Sequence, residues 1–278
     1  MRSIFTVCTA DYAWHLPLWA WSAKKLWPDV QLVVAIVGSG GSPVLIHDYL
    51  ETIDVDVGIE HRGYPQLPAM SACLRFIYNY IHKVDEVLIT DADVVFLHEG
   101  LWRYIENKMM TLGCYGAFTG AKKKPRRPEI APNGWVGDMR RLTGAFVLVT
   151  PEWYEKTRTA REEWSDRLMR GVWGTFRDAD EVMLTRILAQ SGLPLPDETP
   201  FAKVMRSLHV GDFRPNMEHR WGNPKRIQRW FPEESVKALE TLVKDKEFQY
   251  VLGIARTNPA VDAAWTNVFN HLKERTNG

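Results

Sequence analysis

The sequence predicts an α/β domain. Short apolar runs alternate along the chain with segments whose apolar residues recur every three or four positions, and one apolar run ends in a pair of carboxylates, Asp91 and Asp93. Strands alternating with helices build a largely parallel sheet covered on both faces. Sheets of that kind take ligands outside the carboxyl ends of their strands. A length of 278 residues suits one large domain, or one domain with an appendage. The pattern turns helical beyond Arg220, so residues 1–220 are expected to form the main domain and 221–278 a C-terminal helical extension packed on it. The chain contains no internal repeat and no low-complexity segment.

The elements follow in order. Ile4 to Cys8 reads as a first strand, and Pro17 opens a helix that runs to Leu26 and stops before Pro28. Gln31 to Val37 is a second strand, followed by the Gly-rich stretch 38–42, which lacks the Lys-Ser/Thr of a phosphate loop and reads as a turn. A helix is expected over Asp48–Thr52 and a short strand over Val55–Ile59. From Pro65 to Val84, Leu67, Met70, Leu74, Ile77, Ile81 and Val84 mark an amphipathic helix that carries Arg75 beside its apolar stripe. Glu86 to Thr90 is a buried strand that leads into Asp91-Ala92-Asp93. Cys114 to Thr119 and Ala145 to Val149 are further strands, separated by a long polar loop, 120–138. Thr150 with Pro151 starts a helix, and Asp180–Gln190 forms another, closed by Gly192. Val204 to Leu208 is a late strand leading to His209. Pro232 and Asn258-Pro259 each open a helix, the second burying Val261, Ala264, Trp265, Val268, Phe269 and Leu272.

Composition narrows the function classes. The net charge of +1 predicts no global attraction to polyanions. Twelve tryptophans are the exception in an ordinary composition; some must fill the core, but indole also stacks on sugar faces and bases. The three cysteines, Cys8, Cys73 and Cys114, stand far apart in no metal-ligand spacing, which predicts buried thiols and a reducing compartment. No basic-then-apolar leader is visible, and Leu32–Val37 is far too short an apolar run to span a bilayer. These features predict a soluble cytoplasmic protein.

Asp91 and Asp93, one residue apart at a strand's carboxyl end, present the oxygen ligands that a hard divalent cation requires, and such a cation can hold a diphosphate. Four further segments join them: Thr9-Ala10-Asp11-Tyr12 after the first strand, Leu142-Thr143-Gly144-Ala145 before a later one, Asp180-Glu181 at a helix start, and His209-Val210-Gly211-Asp212-Phe213-Arg214-Pro215 after the last strand. In this order and spacing, over residues 3–216, the chain resembles the GT-A glycosyltransferases, and within them family 8, the glycogenin and galactosyltransferase group. The resemblance implies a Rossmann-like mixed sheet flanked by helices and a nucleotide-sugar donor, UDP-linked.

By that resemblance Thr9, Ala10, Asp11 and Tyr12 hold the base and ribose, with Tyr12 stacking on uracil and Asp11 accepting a hydrogen bond. Arg75 reaches the donor sugar or its phosphates; a helix-surface ion pair is the alternative. Asp91, Asp93 and His209 bind the cation, Ala92 stands between the two acids in the donor site, Gly211 admits the diphosphate and Arg214 takes the place of the family's Lys. The family pattern H-x-x-G-x-x-K-P-W appears here one residue shorter before Gly, with Asn216 in place of Trp. Gly144 contacts the sugar, and Asp180 and Glu181 stand near the anomeric carbon as catalytic residues, with Asp178 an alternative match. A nitrogen ligand from His209 favours Mn²⁺ over Mg²⁺. The family's enzymes retain anomeric configuration, and the 120–138 loop is a candidate lid.

The acceptor is open. Lys122 to Arg127 and Arg220 to Arg229 are basic, the second interleaved with Trp221; they read either as solvated rims or as a track for an anionic acceptor such as nucleic acid, a lipid headgroup or an acidic glycan. Two rivals stand beside the transferase. A nucleotidyltransferase would carry a Gly-rich, basic signature after the first strand, which Thr9–Tyr12 does not supply. A nucleotide-sugar-binding protein without chemistry would not need Asp91, Asp93 and His209 together.

Overall fold

A computed structural model describes residues 1–37, 50–55, 67–77, 84–112, 116–118, 121–122, 141–142, 146–170, 179–193, 207–217 and 231–276. It shows a mixed sheet flanked by helices. The six-stranded sheet uses β1 (Arg2–Thr9), β2 (Gln31–Val37), β3 (Leu50–Val55), β4 (Glu86–Thr90), β6 (Gly116–Phe118) and β9 (Phe146–Val149) in the order β3-β2-β1-β4-β9-β6. β3, β2, β1 and β4 run parallel, whereas β9 pairs antiparallel with both β4 and β6. The sheet is therefore mixed, as the resemblance implies, with its parallel part followed by β9, which runs against β4 and β6. Two short antiparallel pairs complete the strands: β5 (Val94–Phe96) with β10 (Ser207–His209), and β7 (Ala121–Lys122) with β8 (Arg141–Leu142).

The central strands are apolar on both faces, as a sheet covered on both sides requires. Successive residues alternate between two cores. Phe5, Val7, Val33, Ala35, Val87, Ile89, Val147 and Val149 pack with α2 (Leu67–Ile77), α4 (Pro151–Lys156), α5 (Arg158–Met169) and α6 (Ala179–Gln190). Ile4, Cys8, Leu32, Val34, Leu88, Phe146 and Leu148 pack with α1 (Leu16–Leu26) and α3 (Gly100–Leu112).

The outer side of α1 is buried as well. Leu18 and Trp21 join Val95, Leu97, Leu208 and Phe213 in a third core with α7 (Glu233–Leu242), α8 (Lys246–Ala255) and α9 (Pro259–Thr276). Asp245 caps α8 by accepting from the amides of Glu247 and Phe248, and Asn258 accepts from those of Ala260 and Val261 at the start of α9. All six apolar positions expected on the last helix pack into this core, Phe269 only partly buried. Among the described residues no helix is long and apolar enough to cross a membrane.

Several expectations shift. Where a helix is expected over Asp48–Thr52, the described residues 50–55 form a strand, β3, registered on β2 from Leu32↔Leu50 to Val37↔Val55; tertiary pairing outweighs a weak local signal there, and residues 56–59 of the strand expected over Val55–Ile59 lie outside the described residues. Pro151 takes the first turn of α4 and Thr150 its N-cap position, but the Thr150 side chain makes no bond to the helix amides. Gly192, at φ +66°, closes α6 as expected, with Leu193 N donating to Leu188 O and Gly192 N to Ala189 O. Cys8 and Cys73 are buried free thiols, whereas Cys114 lies outside the described residues. So do the Gly-rich stretch 38–42 and residues 78–83 of the helix expected to reach Val84.

Trp265 is fully buried at the centre of the third core, 5.8 Å from the Phe248 ring. Trp265→Ala is expected to cost about 3–5 kcal/mol, measured by urea denaturation.

Candidate functional site

The chain order across the sheet reverses between β1 and β4. From β1 it steps outward to β2 and β3; β4 then lies on the other side of β1. A crevice outside the strand ends belongs at such a switch point. There the structure has a cavity of about 210 Å³, lined by Cys8 from β1, Tyr12 after it, Arg75 from α2, Asp91–Asp93 after β4, and His209 and Arg214.

Local bonds fix the β4 end. Thr90 is fully buried; its carbonyl accepts from Thr6 Oγ1 at 2.9 Å and its hydroxyl from Trp19 Nε1 at 2.9 Å. The following acids therefore leave a strand anchored on both sides. After Asp93 the chain forms β5, which pairs antiparallel with β10 so that Val94 stands opposite His209. Val210 N donates to Asp93 O at 2.9 Å and extends that ladder. This pairing brings the imidazole to the acids: His209 Nε2 lies 2.8 Å from Asp93 Oδ1 and 3.5 Å from Asp91 Oδ2. One ligand atom from each of the three residues falls within 4.8 Å of the others. Asp93 has a 5% exposed side chain, against 23% for Asp91 and 22% for His209, so the cluster has a buried floor and an open rim.

The donor set is two carboxylates and one imidazole, without sulfur. That set fits a hard-to-borderline divalent cation and excludes soft thiolate-bound metals. Burial alone pushes the His209 imidazole down, but the Asp93 and Asp212 carboxylates outweigh it and hold its pKa up at about 10. Burial likewise pushes Asp93 up, and His209 together with His15 and Arg214 more than reverses this, holding the carboxyl below its usual range. Without a cation, a proton on His209 fills its electrostatic place.

Arg75 is inside the site, not a surface ion pair. Its side chain is 5% exposed and pairs with Asp91 through Nη1 and with Asp180 through Nη2, the latter at 2.6 Å. One guanidinium thus joins an acid of the cluster to the first turn of α6, and its Nε has no partner among the described residues. Glu181, next along α6, is buried. Arg214 donates from Nε to Gly211 O at 2.9 Å and from Nη1 to the Tyr12 hydroxyl, with its guanidinium carbon 5.4 Å from the Tyr12 ring centre. That guanidinium covers one face of the ring expected to stack on a base. Burial, with Asp93 adding to it, pushes the Tyr12 hydroxyl up to about 12 despite Arg214.

Thr9, Ala10 and Asp11 lie beside the cavity lining rather than in it; Thr9 is buried and Asp11 exposed. Gly211 has a nearer reason than a diphosphate: a Cβ there would overlap Asp93 Oδ2. Gly144, Asp178, residues 120 and 123–138 of the loop and the basic stretch from Arg220 to Arg229 lie outside the described residues.

Two neighbours of the cluster were not legible as site residues. Asp212 Oδ2 lies 3.2 Å from His209 Nδ1. Its i+3 spacing from His209 was the available signal. His15 is 7% exposed, 5.5 Å from the Tyr12 ring, and burial pushes its pKa down to about 4, outweighing Asp93. It stands as a neutral imidazole beside the acids. No sequence signal separates it from an ordinary core histidine.

The chain matches no protein-family model and no curated protein. Among solved structures it is similar to the galactosyltransferase LgtC in complex with donor and acceptor sugar analogs, at 18% identity and a TM-score of 0.41 over 67% of this chain and 70% of that one. An active-site mutant of LgtC gives 17% identity with the same score and coverage. At that identity and score the cluster's own side chains, not the likeness, carry the chemistry.

Gly211→Ala is expected to displace the Asp93 carboxylate and lower the melting temperature by several degrees, read by calorimetry. A raised His209 pKa stabilises the fold below the unfolded value of 6.5, and that contribution is lost as pH rises through about 10. In chelator, stability is therefore expected to fall over this pH window, and a melting series with His209→Gln should flatten that part of the profile.

Proposed function

We propose that this chain is a metal-dependent glycosyltransferase of GT-A type, resembling family 8, that moves a hexosyl group from a UDP-sugar to an acceptor with retention of configuration. The observation that carries the proposal is the convergence of Asp91, Asp93 and His209 at the switch point of the sheet, within 4.8 Å of one another. Residues 1–220 are the catalytic domain and 221–278 the helical extension in this reading, and the cytoplasm is its compartment.

Charge supports the assignment. Asp91, Asp93, Asp180 and Asp212 face two guanidiniums, Arg75 and Arg214, linked to them or to their neighbours by the contacts above. With His209 neutral, a divalent cation balances the two remaining negative charges. When bound, that cation, Mn²⁺ by its nitrogen ligand, neutralises charge on the leaving diphosphate. Ala92 sits between its two acids, small enough to leave the cavity open.

The protein's own residues supply the rest. Arg214 has its guanidinium at the cavity and donates to a phosphate oxygen there, releasing the Tyr12 hydroxyl to the ribose or base. Thr9, Ala10 and Asp11 shape the base end. Arg75 holds Asp180 beside Asp91, so the carboxylate on α6 is fixed near the bond that breaks. Asp180 and Glu181 then stabilise positive charge developing at the anomeric carbon or orient the acceptor hydroxyl. Gly144 contacts the donor sugar, and the 120–138 loop excludes water that would otherwise hydrolyse the donor.

In a screen of nucleotide sugars with Mn²⁺, read by thermal shift and nucleoside diphosphate release, UDP with Mn²⁺ is expected to stabilise the wild type. Asp93→Asn should abolish the metal-dependent part of that shift and lower diphosphate release by about 100-fold or more, the scale of losing a centre that stabilises transition-state charge. A full response from Asp93→Asn rules out the assignment.

A further inference from the structure

We propose that Asp212 is a positioning residue, holding the His209 ring so that Nε2 faces Asp91 and Asp93. The inference rests on reading those three side chains as the cation's ligands. His209 ends β10, and Val210–Phe213 winds directly after it as one turn of 3-10 helix. A three-residue period returns position 212 beneath position 209. The two edges of the ring are thereby assigned: Nδ1 lies 3.2 Å from Asp212 Oδ2, and Nε2 lies 2.8 Å from Asp93 Oδ1.

Nδ1 and Asp212 Oδ2 stand at ion-pair distance; a carboxylate only accepts, so with a cation on Nε2 the remaining ring proton belongs on Nδ1, facing Asp212. The Nε2 lone pair is then the one that faces the cluster, and the carboxylate raises its basicity. Asp212 is 6% exposed, between the buried Val210 and Phe213, in a place where solvation does not account for a charged side chain. Gly211 completes the turn's logic. A side chain there would overlap Asp93, whereas the next residue points a carboxylate back at His209. One short turn thus clears space for one acid of the cluster and orients its imidazole.

The test compares wild type, Asp212→Ala and Asp212→Asn. Mn²⁺ affinity is read by electron paramagnetic resonance, the ring by ¹⁵N spectra of the Cd²⁺-loaded protein, and folding by melting temperature. Asp212→Ala is expected to weaken Mn²⁺ binding by about 10–100-fold and to replace a single Nε2-ligated, Nδ1-protonated His209 signature with a mixture. Asp212→Asn keeps an oxygen acceptor for Nδ1–H, so it should keep the ring signature and lose less affinity than Ala. If Asp212→Ala does not fold, a folded Asp212→Asn that shows a mixed ring signature overturns the inference, because its oxygen still accepts from Nδ1–H. Wild-type affinity and ring signals in a folded Asp212→Ala overturn it alone, leaving the cation site standing. A wild-type protein that binds no Mn²⁺ overturns the cation reading and the inference with it.

Discussion

The contact between His209 and Asp93 is the constraint on which the site depends. It joins the end of β10 to the residue before β5, and it exists because those two strands pair antiparallel in one register. A one-residue slip would turn the imidazole to the opposite face of the ladder. The amide of Val210 on Asp93 O holds that register at the point where the chain leaves the strand. The large sheet alone does not bring the third group to the acids; a three-residue ladder does.

The large sheet supplies the other half. Thr90 is held by Thr6 from β1 and by Trp19 from α1, so Asp91 and Asp93 start from a fixed strand end. Ser22, one turn further along α1, accepts from the amide of Phe96 in β5. Helix α1 thus braces both strands that flank the acidic pair. Arg75 extends the same order outward, because its two ends hold Asp91 and Asp180 at once.

Much of this was legible in the sequence. The buried strands β1, β2 and β4 announce themselves as apolar runs, since both faces of each are covered. The acidic pair and His209 were visible as types in an order. Their convergence was implied only by the family resemblance, because strand pairing between segments far apart leaves no local trace. Helices α3, α5 and α8 were illegible for a different reason. In α5, Ala160, Trp164 and Leu168 form a narrow buried stripe amid charged residues; α8 carries Gly253 and β-branched residues that weaken its helical signature. Tyr12 shows the limit of reading type alone: the ring was visible, and the guanidinium lying over it was not.

The third core has a consequence for how the protein is made. Leu18 and Trp21 precede by a long stretch of chain the helices that cover them, which begin at Glu233. A ribosome therefore exposes the outer face of α1 until those helices have emerged. His209 also emerges late, so the early acids wait unmatched through the same interval. Any transcript truncated before the last helices yields a sticky product with its apolar flank uncovered.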